Sequence, residues 1–214
     1  LVYFFLLIII SSINNISFIN LKFGKIQKIK VSGLNTEENK SIIKEIKSIN
    51  LGNIFFINED KINKLISSNS LIENFQVKKK YPATIEFKLE KTKYLAKINK
   101  NGKNFIIGSN GKLLSNNNEN ISLPFIFGNP NINEFLNFKK ILDKSKFSYQ
   151  QVEKLYFFPS KRWDLRLKQN ILIKLSKKQT VDSLYNLYEF LENYSAEKFT
   201  LVDARIKNQI ILNE

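Results

Sequence analysis

Cysteine, histidine and methionine are absent from the 214 residues of the sequence. Without cysteine there is no disulfide framework and no thiolate nucleophile, and without histidine there is no imidazole to move protons near neutral pH. Together the two absences exclude an ordinary zinc site. The seven glycines stand singly, so neither a dinucleotide-binding G-x-G-x-x-G nor a phosphate-binding Walker A loop occurs. We therefore expect a protein that is not an enzyme, with no cofactor and no small-molecule substrate.

Arginine is scarce although the chain is basic. The formal net charge is +15, yet the only arginines are Arg162, Arg166 and Arg205. Proteins that read nucleic acids usually need the guanidinium fork, which pairs with phosphate and guanine edges in a way that ammonium does not. Abundant lysine, asparagine, isoleucine and phenylalanine are typical of a genome rich in A and T. Nucleic-acid binding is therefore a less favoured alternative, and no nucleic-acid partner is expected.

The longest uncharged run stands at the beginning, where the sequence opens LVYFFLLIII and carries no charge before Lys22. As one helix, residues 1–21 would span about 31 Å, close to the thickness of the hydrocarbon core of a bilayer. The alternative is a signal peptide, whose apolar region is only about 7–15 residues long. We expect residues 1–21 to form a retained single-pass anchor in the lipid bilayer. The absence of an initiator methionine leads us to expect that it is truncated at its N-terminus.

Residues 25–91 show the pattern of a β-α-α-β-β unit. Asn35 precedes Glu38 by three residues, which is the spacing of a capping box, and isoleucines then recur at helical intervals. The predicted elements are, in order, a strand over 26–31, helices beginning at Asn35 and Asn58, and strands over 72–80 and 83–91.

The stretch KKKYPATIEFKLEK (78–91) alternates strictly after its proline. Its apolar residues are predicted to share the inner face: Ile85, Phe87 and Leu89. The lysines fall on outward positions or at the bend, interleaved with Glu86 and Glu90. Because a phosphate-binding face would not usually carry carboxylates at alternate positions, we interpret this stretch as the solvated face of a sheet.

Residues 92–214 predict a mixed, mostly antiparallel β domain with two or three helices, so the whole chain is placed in the α+β class. Asn101-Gly102 is a strong hairpin signal between two short strands. The stretch RWDLRLKQNILIKL (162–175) predicts a second hairpin with Trp163 on the inner face. Further elements are predicted as helices over 132–142 and 181–193, a strand containing 202–205, and a last strand over 209–212.

We expect the last strand, over residues 209–212, to lie at a sheet edge, with unpaired N–H and C=O groups on one side. Soluble proteins normally protect such edges with charge, proline or a covering loop. Residues 209–212 (QIIL) carry neither charge nor proline. An unprotected edge either aggregates or receives a partner strand.

Several motifs, in order, resemble the FtsQ/DivIB family of bacterial division proteins, in which one membrane anchor precedes a POTRA domain and a β domain. The matching residues are Val77, Lys80, Tyr81-Pro82, Ile85 and Glu90 in the first unit, and LPFIFG (123–128), RWDLRL (162–167) and VDAR (202–205) in the second. Lys91 stands where arginine is common in the family, and Ala204 stands where leucine is usual.

The resemblance implies a non-enzymatic scaffold of the inner membrane, with most of the chain in the periplasm at the division septum. It further implies that the terminal strand accepts a strand from a partner of the FtsB type, within a complex that also contains FtsL. By this match, Arg205 pairs with an acidic side chain of the partner. The other implied partner-binding residues are Ile206, Asn208, Ile210 and Leu212. The alternative is a POTRA module of an outer-membrane insertion or secretion system.

Overall fold

The computed structural model describes residues 2–13, 24–115, 121–194, 199–207 and 209–213. The chain divides into two compact units, Leu1–Lys91 and Thr92–Glu214. Five α-helices are found in the described ranges: α1 Val2–Ile13, α2 Thr36–Ser48, α3 Glu59–Ser68, α4 Ile132–Lys144 and α5 Val181–Asn193. With the two sheets described below, these helices make the chain a mixed α+β protein, as predicted.

Helix α1 is made entirely of uncharged residues. Its twelve residues fall short of a bilayer's thickness, and nowhere in the described part of the chain is a helix both long and apolar enough to cross a membrane. The predicted anchor continues to residue 21, and residues 14–21 lie outside the described residues.

The first unit contains a three-stranded sheet in the order β1-β3-β2. Its strands are β1 Lys28–Ser32, β2 Ile72–Lys80 and β3 Thr84–Lys91. Strand β3 pairs in parallel with β1 and antiparallel with β2. The predicted order of elements is therefore confirmed.

One face of this sheet forms the core of the first unit with α2 and α3. The buried apolar residues are Ile42, Ile46, Ile62, Ile66, Ile72, Ile85, Phe87 and Leu89. The predicted capping box is present, because the Glu38 N–H donates to Asn35 Oδ1 at 2.8 Å and the Asn35 N–H donates to Glu38 Oε2 at 3.1 Å. On the opposite face the Glu86 carboxylate forms ion pairs with Lys30 Nζ at 3.2 Å and with Lys80 Nζ at 2.8 Å. This confirms the expectation of a polar face with interleaved charges.

The second unit contains a nine-stranded sheet in the order β12-β11-β10-β9-β8-β7-β4-β5-β6. The strands are β4 Tyr94–Lys100, β5 Lys103–Gly108, β6 Leu113–Ser115, β7 Phe125–Phe127, β8 Val152–Phe157, β9 Trp163–Leu167, β10 Leu172–Leu175, β11 Leu201–Ala204 and β12 Ile211–Asn213. Five neighbouring pairs are antiparallel and three are parallel. The prediction of a mixed, mostly antiparallel sheet is therefore confirmed.

Local signals place several elements of this sheet. Asn101 and Gly102 both have positive φ, at 53° and 77°, which is what a tight two-residue hairpin turn requires. The Asn131–Glu134 capping box starts α4. Helix α4 connects β7 to its parallel neighbour β8, and α5 connects β10 to its parallel neighbour β11. Both helices contribute apolar residues to one core: Phe135, Phe138, Leu142, Leu184, Leu187 and Leu191.

The last strand differs from its predicted bounds. The sequence pattern predicts residues 209–212, whereas β12 begins at Ile211 and ends at Asn213. The Gln209 N–H donates to the Ile206 carbonyl at 3.2 Å, which closes a turn before pairing resumes. The predicted bounds were wrong because this turn uses more residues than the pattern indicates.

The preceding strand ends one residue earlier than predicted. Strand β11 ends at Ala204, so Arg205 lies in the turn and not in the ladder.

Candidate protein-interaction edge

The terminal strand is placed by the connection through α5. This helix carries the chain from β10 to β11, and β12 then folds back antiparallel on the far side of β11. The sheet order therefore leaves β12 as an outermost strand, with β11 as its one neighbouring strand within the described ranges. An edge strand of this kind presents backbone donors and acceptors on its outer side.

The two faces of β12 differ in character. Leu212 pairs with the fully buried Val202 and packs against the core. Ile211 pairs with Asp203 on the other face and is 49% exposed. The exposed apolar residue of this strand is therefore Ile211.

A row of charged residues crosses the sheet and ends at this isoleucine. In register, Asp164 of β9 lies beside Lys174 of β10, which lies beside Asp203 of β11, and Ile211 of β12 follows. The three charges of the row alternate in sign, and the charge of Lys174 contributes to lowering the pKa of Asp203. An additional strand would place its own residue beside Ile211.

Asp203 and Arg205 form the ion pair closest to the edge. The Arg205 guanidinium donates from Nε to Asp203 Oδ1 at 2.8 Å and from Nη2 to Oδ2 at 2.5 Å, which is a bidentate contact. These hydrogen bonds hold the pKa of Asp203 below its usual range, although partial burial acts in the opposite direction. The pair is therefore charged on both sides at neutral pH.

A groove of about 660 Å³ lies between α5 and the turn that precedes β12. Its lining includes three cations and one carboxylate, which are Lys178, Arg205, Lys207 and Asp182. Phe190 and Ile210 contribute apolar walls. Among the residues that the structure describes, no cluster of three or more carboxylate, histidine or cysteine ligands could hold a metal ion.

The residues predicted for partner binding do not all occupy equivalent places. Arg205 and Ile206 are exposed in the turn, whereas Ile210 and Leu212 are half-buried against the core. Asn208 lies outside the described residues. The structure thus brings Arg205, Ile206 and Ile210 to the groove, and it turns Leu212 toward the core.

Sequence reasoning missed Asp203 and Ile211 at this edge. The separation of Asp203 and Arg205 by two residues, which is the period of a strand, was the available signal that they share a side. Ile211 was missed because Ile210 and Leu212 were assigned to the partner-binding face of the strand, and the outward position of Ile211 depends on pairing with β11.

Asp164 was also missed as a structural residue. The alternation of RWDLRL predicts an outward position, yet Asp164 is only 2% exposed. It accepts from Arg162 Nε at 3.1 Å, from Arg162 Nη2 at 3.2 Å and from the Leu175 N–H at 3.2 Å. A carboxylate with these hydrogen-bond partners can be buried, and its bond to the Leu175 N–H links β9 to the end of β10.

The comparisons with known proteins agree with this architecture. Residues 24–91 match the family described as POTRA domain, FtsQ-type, and residues 96–205 match the family described as Cell division protein FtsQ/DivIB, C-terminal. The second match alone covers just over half of the chain. The chain belongs to the FtsQ/DivIB family of cell division proteins. The family match ends at Arg205, so β12 lies beyond the matched residues.

A curated relative and a solved structure extend the comparison. The cell division protein FtsQ of Rickettsia bellii (strain RML369-C) is 25% identical over 172 residues, which cover 75% of this chain and 60% of the relative. The chain thus spans about 60% of the length of that FtsQ protein.

The major extracytoplasmic domain of the division protein DivIB from Geobacillus stearothermophilus is 13% identical. That comparison covers 50% of this chain and 92% of the DivIB domain with a TM-score of 0.34, which is too low to support a structural argument.

Proposed function

We propose that this FtsQ/DivIB chain is a non-enzymatic scaffold that recruits division partners by accepting a strand at β12. The observation that carries the proposal is the outermost position of β12 in a nine-stranded sheet. Residues 209–213 (QIILN) carry none of the charges or prolines that usually protect such an edge. Main-chain hydrogen bonds would supply affinity, and the side chains beside the strand would supply specificity.

The neighbouring side chains define the chemistry of the partner segment. Ile211 is exposed on the outer face, so an apolar residue of the incoming strand is expected beside it. The groove next to this strand carries Lys178, Arg205 and Lys207, which favours a partner with carboxylates flanking its apolar residues. The partner is therefore an extended segment, apolar at its centre and acidic at its flank.

Arg205 keeps its proposed role in partner binding, but its ion pair with Asp203 limits that role. Its bidentate contact with Asp203 uses two of the five N–H groups of the guanidinium. An acidic side chain of the partner would bind the remaining donors beside Asp203. The repulsion between the two carboxylates would then limit what Arg205 contributes to affinity.

The family resemblance supplies the proposed partners and location. These are FtsB and FtsL-type division proteins, met in the periplasm at the septum. Residues 1–21 would hold the chain in the inner membrane as a single-pass anchor. The FtsQ-type matches over both units favour this role over the alternative of an outer-membrane insertion module.

Site-specific photocrosslinking in living cells tests this function. A photoreactive residue at Ile211 is expected to form an adduct with an FtsB-type partner. The matched control is Ser115, which is exposed in β6 at the other edge of the same sheet and is expected to form no such adduct. Equal yields of the partner adduct at the two positions, or no partner adduct at Ile211, would reject strand addition at β12.

A further inference from the structure

Three exposed aromatic residues gather at one end of the first unit. Phe56 is 85% exposed, Tyr81 61% and Phe55 46%, and the rings of Phe55 and Tyr81 stack with their centres 5.2 Å apart. We call Phe55, Phe56 and Tyr81 the aromatic tip. Aromatic side chains exposed together in this way commonly mark a surface that meets another phase or molecule.

Gly24, the first residue that the structure describes after α1, lies against the aromatic tip. The Ile54 N–H, directly before Phe55, donates to the Gly24 carbonyl at 2.7 Å. Gly24 has a φ of +79°, and a Cβ atom built on it would lie 2.8 Å from the Phe55 ring. The residue that follows Lys22 and Phe23 in the sequence is therefore held against the aromatic tip.

We propose that the aromatic tip lies in the headgroup layer of an anionic bilayer and fixes the first unit against the membrane. The proposal rests on the proposed function in one respect, since it takes residues 1–21 as the membrane anchor. Only Lys22 and Phe23 then separate the anchor from Gly24. Two or three extended residues reach at most about 10 Å, and the headgroup layer on each side of the hydrocarbon core is about 5–7 Å thick. The aromatic tip is thus tethered within reach of that layer.

The side chains around the aromatic tip suit a lipid interface better than a protein interface. Lys25 follows Gly24 directly, and the Lys28 N–H bonds to the Ala83 carbonyl in the turn that carries Tyr81. Lys80 is also adjacent, although it contacts Glu86. Membrane proteins place tyrosine rings and lysines at the headgroup level, and interfacial segments bury phenylalanine rings at the boundary between headgroups and acyl chains. The positive charge favours anionic headgroups.

Acidic residues lie close to the same end and oppose this attraction. Glu59 and Asp60 begin α3, three and four residues after Phe56, and the Glu59 carboxylate contacts Lys79 at 3.8 Å. The lysines near the aromatic tip, which are Lys25, Lys28, Lys79 and Lys80, still outnumber the carboxylates of Glu59, Asp60 and Glu86.

The absence of native cysteine makes the test direct. The full chain, carrying an environment-sensitive fluorophore on Phe56→Cys, is reconstituted into phosphatidylcholine vesicles with and without phosphatidylglycerol. Ser68→Cys is the matched control, because Ser68 is exposed at the opposite end of α3, about 15 Å along the helix. The label at position 56 is expected to emit at shorter wavelength and to be quenched several-fold more by nitroxide lipids than the label at 68. The difference is expected to increase with phosphatidylglycerol.

A second labelling position keeps all three aromatic residues. Gln27 is neutral and exposed, and its N–H bonds to the Ala83 carbonyl beside Tyr81. A label on Gln27→Cys is expected to be shielded by lipid, and the added substitution Phe56→Ser is expected to reduce that shielding at least about twofold. Shielding that does not change with Phe56→Ser would overturn the proposal.

Carbonate extraction separates this proposal from the proposed anchor. A chain that resists extraction while the labels at 27, 56 and 68 stay equally exposed to water overturns the aromatic tip and leaves the anchor standing. A chain that is extracted, but whose label at 56 was shielded on anionic vesicles, supports the aromatic tip and rejects the anchor. Shielding that requires added division proteins instead of lipid also overturns the proposal.

Discussion

Strands β2 and β12 are both outermost strands, yet their sequences differ sharply. Strand β2 has nine residues and ends in Lys78, Lys79 and Lys80, whereas β12 has three residues and none is charged. Lysines on an edge strand oppose pairing with another chain, because each addition would bring like charges together or remove them from water. The contrast indicates that β2 is protected against strand addition and that β12 is open to it.

The first prediction removes the hydrogen bonds of Asp164 in the sheet that carries β12, and it has the largest expected effect on stability. Asp164→Ala leaves the buried Leu175 N–H without its acceptor and Arg162 without its carboxylate. We expect a loss of about 2–4 kcal/mol in the free energy of unfolding, measured by urea denaturation. Asp182→Ala, at an exposed position of α5, is the control and is expected to cost less than about 1 kcal/mol. Equal losses for the two variants would contradict the structural role of Asp164.

The second prediction gives β12 the protection that β2 already has. Ile211→Lys is expected to weaken partner binding at least about tenfold, while the free energy of unfolding changes by about 0.5 kcal/mol or less. Ile211 suits this test better than Ile210, since Ile210 packs on the core and its replacement would also change stability. A pull-down against the FtsB-type partner measures the binding, with Ser115→Lys as the control. Unchanged affinity of the Ile211 variant would remove β12 from the interface.

The third prediction removes the protection from β2. The double variant Lys78→Val and Lys79→Val is expected to self-associate weakly, in a concentration-dependent way visible by sedimentation equilibrium. Lys40→Val with Lys44→Val, at exposed positions of α2, loses the same charge and is expected to stay unassociated. Should both double variants associate alike, net charge rather than edge protection would be responsible.

The fourth prediction concerns the ion pair beside β12 and has the smallest effect. The hydrogen bonds from Arg205 lower the pKa of Asp203, so this contribution to stability is fully present above the pKa of the unfolded chain. It is lost as the pH falls through the lowered pKa of the folded state. The difference in unfolding free energy between the native chain and Asp203→Asn should therefore be constant from about pH 7 to 5 and shrink below about pH 4. The effect is small because the Arg205 side chain is 48% exposed.

That series is followed by urea unfolding at each pH. A difference that already shrinks between pH 7 and 5 would mean that another group titrates with the pair.

Much of the fold could be predicted because its signals are local. The capping boxes at Asn35 and Asn131 and the Asn101-Gly102 turn each depend on residues no more than three positions apart. The alternation in β3 marks its buried face in the same way, since successive side chains of a strand point to opposite faces. The order of the family motifs along the chain could likewise be recognised from the sequence.

The candidate site was predicted less completely. Arg205 and Ile206 were found from the family motif, whereas Asp203 and Ile211 depend on the register of β12 against β11. The alternation of the sequence predicts an outward position for Asp164. The carboxylate can nevertheless be buried because it accepts hydrogen bonds from Arg162, two residues away, and from the Leu175 N–H, eleven residues away.

The amino-acid sequence by itself determined most of the secondary elements, their order along the chain and its apolar start, because propensity, capping and periodicity act between near neighbours. The tertiary structure alone decided that β12 is outermost, that Ile211 faces outward and that the aromatic tip meets Gly24. These facts depend on which distant segments become neighbours. That choice is made by the packing of α4 and α5 on one core and of α2 and α3 on the other, and no local pattern encodes it.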